Sequence, residues 1–386
     1  MSARPVPVVH VITKLELGGA QQNTLHTVAN LDRDRFAPML VTGVGGMLDD
    51  EARALDVPVH FIEPLVRPID PRRDLAAAKA IKQLLRPLTA NGPTIVHTHS
   101  SKAGIVGRWA ARRSGAGPVV HSIHGFGHGA IRNPAVKRLT LATERHMARY
   151  TDAFISVSRK NLAEGQQLGL LGGKPGHVIR SGIDVEDFGR ADELRNAARA
   201  QLGYDPQTPV VGMVACLKPQ KAPLDFVTLA AVVAKSVPEA RFFIAGDGEL
   251  RHDVEQAISA AGLTDRVALL GWRRDIPELL GALDVLVLTS LWEGLPRVCP
   301  QAMAAGRPVV ATAVDGTPEA IVDGRNGRLF TAGDPAAGAA HVIELLQDHG
   351  QAQAFARAGL DAVAEFDQRT MVAQQEQLYD QLLGQG

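Results

Sequence analysis

Residues 284–288, Asp-Val-Leu-Val-Leu, form an unbroken apolar run of the length expected for a parallel strand buried on both faces. Residues 289–324 follow as TSLWEGLPRVCPQAMAAGRPVVATAVDGTPEAIVDG: an acidic loop, a helix pattern, a second apolar strand and a capped turn. This strand–helix–strand grammar constrains the fold more than any other stretch, because it demands a parallel sheet with helices against its faces. Ligands in such sheets sit beyond the carboxyl ends of the strands. Trp292, Glu293 and Gly294 therefore fall at the mouth of a candidate site. Pro296 suits the first turn of a helix, where its missing N–H costs nothing, so a helix is expected from Pro296 past Gln301 to Gly306. Its free N–H groups suit a phosphate. Gln301 then lies about one and a half turns into that helix, and it converges with Glu293 on one polyhydroxylated molecule. A second strand over 308–313 leads to Thr317 as N-cap, with Pro318 next.

A chain of 386 residues exceeds one hydrophobic core and predicts two domains. Two cysteines, Cys216 and Cys299, exclude a disulfide scaffold. No apolar run approaches the ~18–20 residues of a membrane span. The opening MSARPVPVVHVI enters a strand without a signal-peptide core, so a cytoplasmic location is expected. The net charge of zero hides an asymmetry: residues 1–190 carry 25 Lys and Arg against 16 Asp and Glu, a net of +9, which leaves −9 for the rest. A basic first half attracts an anionic acceptor or lipid headgroups. Mutual attraction of the halves explains the same numbers.

Along the first half, the strand 6–12 runs into Gly18 and Gly19, where backbone can approach a ligand closely. The spacing is not that of a dinucleotide fingerprint. Asp32-Arg33-Asp34 reads as a solvated turn, and no set of His, Cys and carboxylates has metal-ligand spacing along the chain. His99 and Lys102 follow the strand 94–96 in a loop able to bind an acceptor hydroxyl or phosphate, with His97 as readily a core residue. His124-Gly125 ends the strand 118–123, a position suited to touching a bound sugar. The helix pattern over 131–150 sets Arg132, Lys137, Arg138, Arg145 and Arg149 among Val136, Leu139, Leu141 and Met147. That pattern fits a membrane-surface helix and equally an ordinary surface helix.

The ordered run EGLPRVCPQAMAAGRPVVATAVDGTPE resembles the signature of the retaining, nucleotide-sugar-dependent glycosyltransferases of family 4. The resemblance extends over nearly the whole chain. It implies a GT-B fold, two Rossmann-like parallel-sheet domains facing a central cleft, with boundaries at 1–188, 189–366 and a returning helix at 367–386. It also implies a donor, with a UDP-sugar as first choice, held by the second domain and a glycan or lipid-linked acceptor held by the first. By the same resemblance Glu293 and His124 are catalytic, serving the transferred sugar, and Lys221 meets the diphosphate. Gly19, Gly294, Leu295, Gln301 and Arg273 belong with them to the donor site, His99 and Lys102 to the acceptor. No metal or other cofactor and no nucleic acid are expected, and peripheral contact with an anionic inner membrane is. Two positions depart from the pattern. Gln301 replaces the second Glu of the signature, so an amide meets the ribose diol in place of a carboxylate. Cys216 replaces an Arg, leaving one cation fewer for the diphosphate, with Lys218 and Arg297 as the others at hand. These departures keep open a non-catalytic binding module, and a nucleotide-sugar epimerase is a third reading.

Overall fold

The computed structural model describes residues 4–127, 131 and 133–384. The chain divides into two compact units, one of residues 1–182 with 368–386, the other of residues 183–367. The division falls ahead of the expected boundary at Phe188, because the short helix Val185–Gly189 buries Phe188 among the second unit's helices.

The first unit holds β1 (Val6–Ile12), β2 (Phe36–Thr42), β3 (Val59–Phe61), β4 (Ile95–His99), β5 (Val119–Ile123), β6 (Ala153–Ser156) and β7 (Gly176–Val178). Their order is β3-β2-β1-β4-β5-β6-β7, and every pairing is parallel. In the second unit β8 (Val210–Val214), β9 (Arg241–Ala245), β10 (Val267–Gly271), β11 (Val285–Leu288), β12 (Val309–Thr312) and β13 (Gly327–Phe330) run in the order β10-β9-β8-β11-β12-β13, again all parallel. Each order reverses once, between β1 and β4 and between β8 and β11. Such reversals open the crevice in which doubly wound sheets bind ligands.

Side-chain alternation decides what covers each face. Val9, Val11 and Val96 join Ile81 and Leu85 of the helix Pro71–Thr89 and Val106 of the helix Ser101–Ser114. On the opposite face Val8, Ile95, Val120 and Ile155 receive Met371, Val372, Leu378 and Tyr379 of the C-terminal helix Gln368–Leu383. Each such side chain contributes about 1.5–3 kcal/mol on full burial, which is ample reason for the last helix to return to the first unit. His10, His97 and His99 share the parity of Val8 and Ile95, so the same alternation turns them onto this face. The second unit repeats the scheme with Val211, Met213, Phe242, Ile244 and Val287 against Phe226, Leu229 and Val233.

Two local expectations are refined. The Asp32 turn is exposed, as expected, and is also tied down: Asp32 N–H donates to Glu376 at 2.7 Å, and Arg35 pairs with Glu376 and Asp380 of the C-terminal helix. The basic helix is shorter, Pro134–Ala148, with Asn133 capping the N–H groups of Ala135 and Val136 and a proline at its start. Arg132 lies outside the described residues.

Candidate active site

At the second unit's strand reversal, the segments leaving β8 and β11 are tied together. Thr289 Oγ1 reaches the carbonyl oxygens of Lys221 and Ala222, each at 2.9 Å, and Gln220 Nε2 donates to the Trp292 carbonyl at 2.9 Å. These bonds bring the Lys221 ammonium onto Glu293 Oε1, which also accepts a 2.6 Å hydrogen bond from Ser290 Oγ. The Glu293 N–H in turn donates to Asp315 Oδ2 at 2.7 Å. Ala222 and Asp315 both adopt positive φ, +43° and +42°. Backbone of that kind costs on the order of 1–3 kcal/mol in non-glycine residues and collects at functional sites. Ser290 and Asp315 escaped the sequence reading as positioning groups. Ser290 had a signal, three residues before Glu293 at a strand's carboxyl end. Asp315 had none.

The pair is mostly shielded, Glu293 being 6% exposed and Lys221 18%. Burial alone would lower the Lys221 pKa, but the adjoining Glu293 carboxylate more than offsets it, and the net shift is upward. Burial brings the Arg297 guanidinium down to about 10, still protonated at neutral pH, and pushes the Cys299 thiol up. The edge thus carries the cations of Lys221 and Arg297 and the carboxylates of Glu293 and Asp315, and an anionic diphosphate would be met by the two cations.

Around this pair Gly294 and Leu295 are buried in the connecting turn and Gln301 is half-buried. The helix begins at Val298, not at Pro296, and spans Val298–Ala304. Pro300 takes the proline's place in the first turn, where N–H groups have no intrahelical partner, and Gln301 sits one turn in. Likewise Gly316, not Thr317, caps the helix Thr317–Ala320. Arg273 is held by Asp275 two residues on, with Nε 2.7 Å from Oδ1 and a second contact to Oδ2. Its guanidinium is therefore engaged by its own loop.

In the first unit, Gly19 opens the helix Gly19–Asn30 just after β1. Thr13 Oγ1 and Ser100 Oγ, 3.1 Å apart, bridge the ends of β1 and β4. His124 lies half-buried beyond β5, at a strand's carboxyl edge as expected. His99 is buried and engaged on both nitrogens, with Nε2 3.0 Å from His10 Nδ1 and Nδ1 3.1 Å from His124 Nε2. Lys102 is likewise not free, because its ammonium donates to Asp74 Oδ2 of the helix Pro71–Thr89 at 2.6 Å. A cavity of about 20 Å³ lies against His99 and His124, with Asn23, Thr27, Ser122 and Gln375 in its wall. It has room for about one water.

Folding also gathers His10, His97 and His99, one nitrogen of each lying within 4.8 Å of the others, a grouping that no spacing along the chain reveals. Both His97 nitrogens are taken, Nδ1 lying 2.6 Å from Tyr379 Oη and Nε2 2.7 Å from Ser122 Oγ. Its ring lies over that of His99 with centroids 4.2 Å apart, whereas ligating imidazoles direct their nitrogens at a common centre. The cluster is a hydrogen-bond network. Burial lowers every member's pKa, to about 3 for His10, to about 4 for His124 and well below the ordinary value for His97, His99 and His121. All are neutral at physiological pH. Beside them Gly104 is obligatory, since a Cβ there would lie 2.5 Å from the His121 ring.

Two doubly wound parallel sheets, each with its polar groups at the strand reversal, define the GT-B class of glycosyl-transferring enzymes. Residues 17–187 match Glycosyltransferase Family 4 and residues 208–348 match Glycosyl transferases group 1. The chain is 33% identical over 318 residues to the UDP-Gal:alpha-D-GlcNAc-diphosphoundecaprenol alpha-1,3-galactosyltransferase of Escherichia coli, covering 81% of this chain and 80% of that protein. Among solved structures, Anabaena Alr3699/HepE in complex with UDP-glucose superposes with a TM-score of 0.82 at 24% identity, over 97% of this chain and 100% of that one. A glycosyltransferase from Rickettsia africae ESF-5 superposes with a TM-score of 0.82 at 19% identity, over the full length of both chains. The chain belongs to glycosyltransferase family 4 and is an enzyme of that class.

Proposed function

We propose that this protein transfers a sugar from a UDP-sugar, with retention of anomeric configuration, to a glycan carried on a lipid diphosphate, in the synthesis of a cell-surface polysaccharide or glycolipid. The observation that carries the reading is the shielded Lys221–Glu293 pair at the reversal between β8 and β11, clamped by Ser290 and Asp315. Support for the substrate class comes from the 33% identity to an enzyme whose donor is UDP-Gal and whose acceptor is a diphosphoundecaprenol-linked sugar. The +9 charge of residues 1–190 suits a diphosphate-bearing acceptor.

In this reading Lys221, aided by Arg297, neutralises the donor diphosphate, Glu293 holds the transferred sugar and Gln301 meets the ribose. His124 serves a sugar hydroxyl. Gly19, Gly294 and Leu295 offer backbone to the donor. The acceptor attacks from the face the diphosphate leaves, and the departing phosphate takes its proton. The protein's part is positioning and charge stabilisation. Arg273 and Lys102 contribute once they leave Asp275 and Asp74, while His99 acts only through His124.

Thermal denaturation with a panel of UDP-, GDP- and ADP-sugars tests the donor. A UDP-sugar at about 100 times its dissociation constant adds about 2.7 kcal/mol to stability and raises the melting temperature, and transfer to a lipid-diphosphate-linked sugar follows. Stabilisation without transfer to any such acceptor favours the binding module; a changed sugar with donor alone favours the epimerase. Failure of every UDP-sugar to stabilise the protein refutes the proposed donor.

No helix of the described residues is long and apolar enough to cross a membrane. Contact with an anionic inner leaflet belongs to the helix Pro134–Ala148, which exposes Val136 and Leu139 one turn apart and carries exposed Arg138 and Arg145 elsewhere around its surface. Val136→Asp with Leu139→Asp is expected to abolish co-sedimentation with phosphatidylglycerol vesicles and to leave the melting temperature unchanged. Undiminished vesicle binding by the double variant refutes the contact.

A further inference from the structure

His10 of β1, His99 of β4 and His124 just past β5 stand on adjacent strands and form one line of hydrogen bonds, with contacts of 3.0 and 3.1 Å. The His10 and His99 rings are nearly coplanar, 12° apart, so the shared proton lies close to both ring planes. At the inner end, His10 Nε2 is buried without a hydrogen-bond partner. At the outer end, His124 Nδ1 has no partner among the described residues, yet it is not among the sealed atoms.

Three neutral rings bring three protons to this line. Each of the two contacts joins two ring nitrogens and needs one proton, so the third must stand at one end. Either all three rings carry it on Nδ1, and His124 ends the line as a donor, or all three carry it on Nε2, and His10 ends it as a buried N–H with nothing to donate to. The second arrangement seals the spare donor in the core with no acceptor, at the cost of desolvating an N–H, whereas the first brings it to the outer end, which can always find water or a ligand. The unpartnered His10 Nε2 therefore selects the first arrangement.

We propose that His10 and His99 are positioning residues that fix His124 in the Nδ1–H form, so that His124 meets its ligand, a hydroxyl-bearing sugar, as a hydrogen-bond donor. The sugar rests on the reading above; the direction of the line does not. A histidine's free nitrogen is set by the bond its other nitrogen makes. Here that constraint passes through two rings from the core of the sheet to its edge. The Oγ1 of Thr98 and the Oγ of Ser122 engage His121 and His97, and neither interrupts the line.

The test is a long-range proton–nitrogen correlation spectrum of the full chain carrying ¹⁵N-histidine at pH 7.5, with His124 assigned by its loss in His124→Gln. The expected result is a protonated Nδ1 and a bare Nε2 on His124. His10→Phe removes the first donor and should shift His124 toward the Nε2–H form, whereas His10→Asn, whose amide nitrogen stands near the Nδ1 position, should keep Nδ1–H. Transfer should fall about tenfold in His10→Phe, the cost of one neutral hydrogen bond, and recover in His10→Asn. An Nε2–H His124 in the parent protein overturns the proposal, and that spectrum is decisive even where His10→Phe does not fold. So does an unchanged His124 signal in a folded His10→Phe. If His124 shows Nδ1–H while His124→Gln transfers sugar at the parent rate, the direction of the line stands and the sugar role of His124 falls.

Discussion

Lys221→Met destabilises the second unit by about 3–5 kcal/mol, and adding Glu293→Gln to it restores most of the loss. Lys221 and Glu293 are in contact with little exposure, so removing the ammonium strands a carboxylate whose remaining side-chain donor is Ser290 Oγ. Replacing both with neutral groups of similar volume removes the charges together, which is nearly neutral for buried pairs. Urea denaturation of the parent, the two single variants and the double variant gives the coupling; losses that simply add would show the contact to be incidental. Function separates from stability here. Donor affinity falls most in Lys221→Met, and transfer rate falls most in Glu293→Gln, because one side chain is assigned to the diphosphate and the other to the sugar. Raising the pH leaves the pair intact well into the alkaline range. A lysine pKa raised above its ordinary 10.5 contributes stability that is fully present below that value and is lost only as pH passes the folded one.

The second unit's candidate site was legible because its parts are local. Strand, loop, helix and strand follow one another within residues 284–313, and only the helix start was misplaced, since two prolines four residues apart both satisfy the rule that proline enters a helix in its first turn. Contacts between distant segments were not legible. Nothing near Lys102 in sequence announces Asp74, and the pairing exists because the helices Pro71–Thr89 and Ser101–Ser114 cover the same face of the sheet. The partners of His99 were hidden for the same reason. At a strand's carboxyl end a histidine can point outward or lie along the edge, and the choice was made by His10 and His124, which become neighbours only once β1, β4 and β5 lie side by side. The sequence located His124, the outer end of the line, through Gly125 and the strand before it. It carried no sign that the line ran inward.

Acidification from pH 7.5 to 5.5 is expected to unfold the first unit while the second remains folded. Besides the half-buried His177, five histidines of the first unit, His10, His97, His99, His121 and His124, have pKa values depressed by burial. In the unfolded chain each takes up a proton near its ordinary 6.5, and in the folded protein none does until far lower, about 4 for His124 and about 3 for His10. The unfolded state therefore binds more protons throughout this interval. Stability is fully present above pH 6.5 and is lost as pH falls toward the folded values, by about 1.4 kcal/mol per pH unit for each histidine. Only the pH unit below 6.5 counts, so five such groups remove about 7 kcal/mol by pH 5.5, which is of the order of the total of about 5–15 kcal/mol for a typical domain. Amide hydrogen exchange at pH 7.5, 6.5 and 5.5, corrected for intrinsic rates, should show protection collapsing across β1, β4 and β5 and persisting across β8 and β11. Proton uptake on urea unfolding at pH 5.5 should fall by about one in His10→Asn, which keeps the hydrogen bond to His99 and cannot titrate. Equal protection of both sheets from pH 7.5 to 5.5 would show that the cluster already carries charge when folded, and the neutral line from His10 to His124 would fall with it.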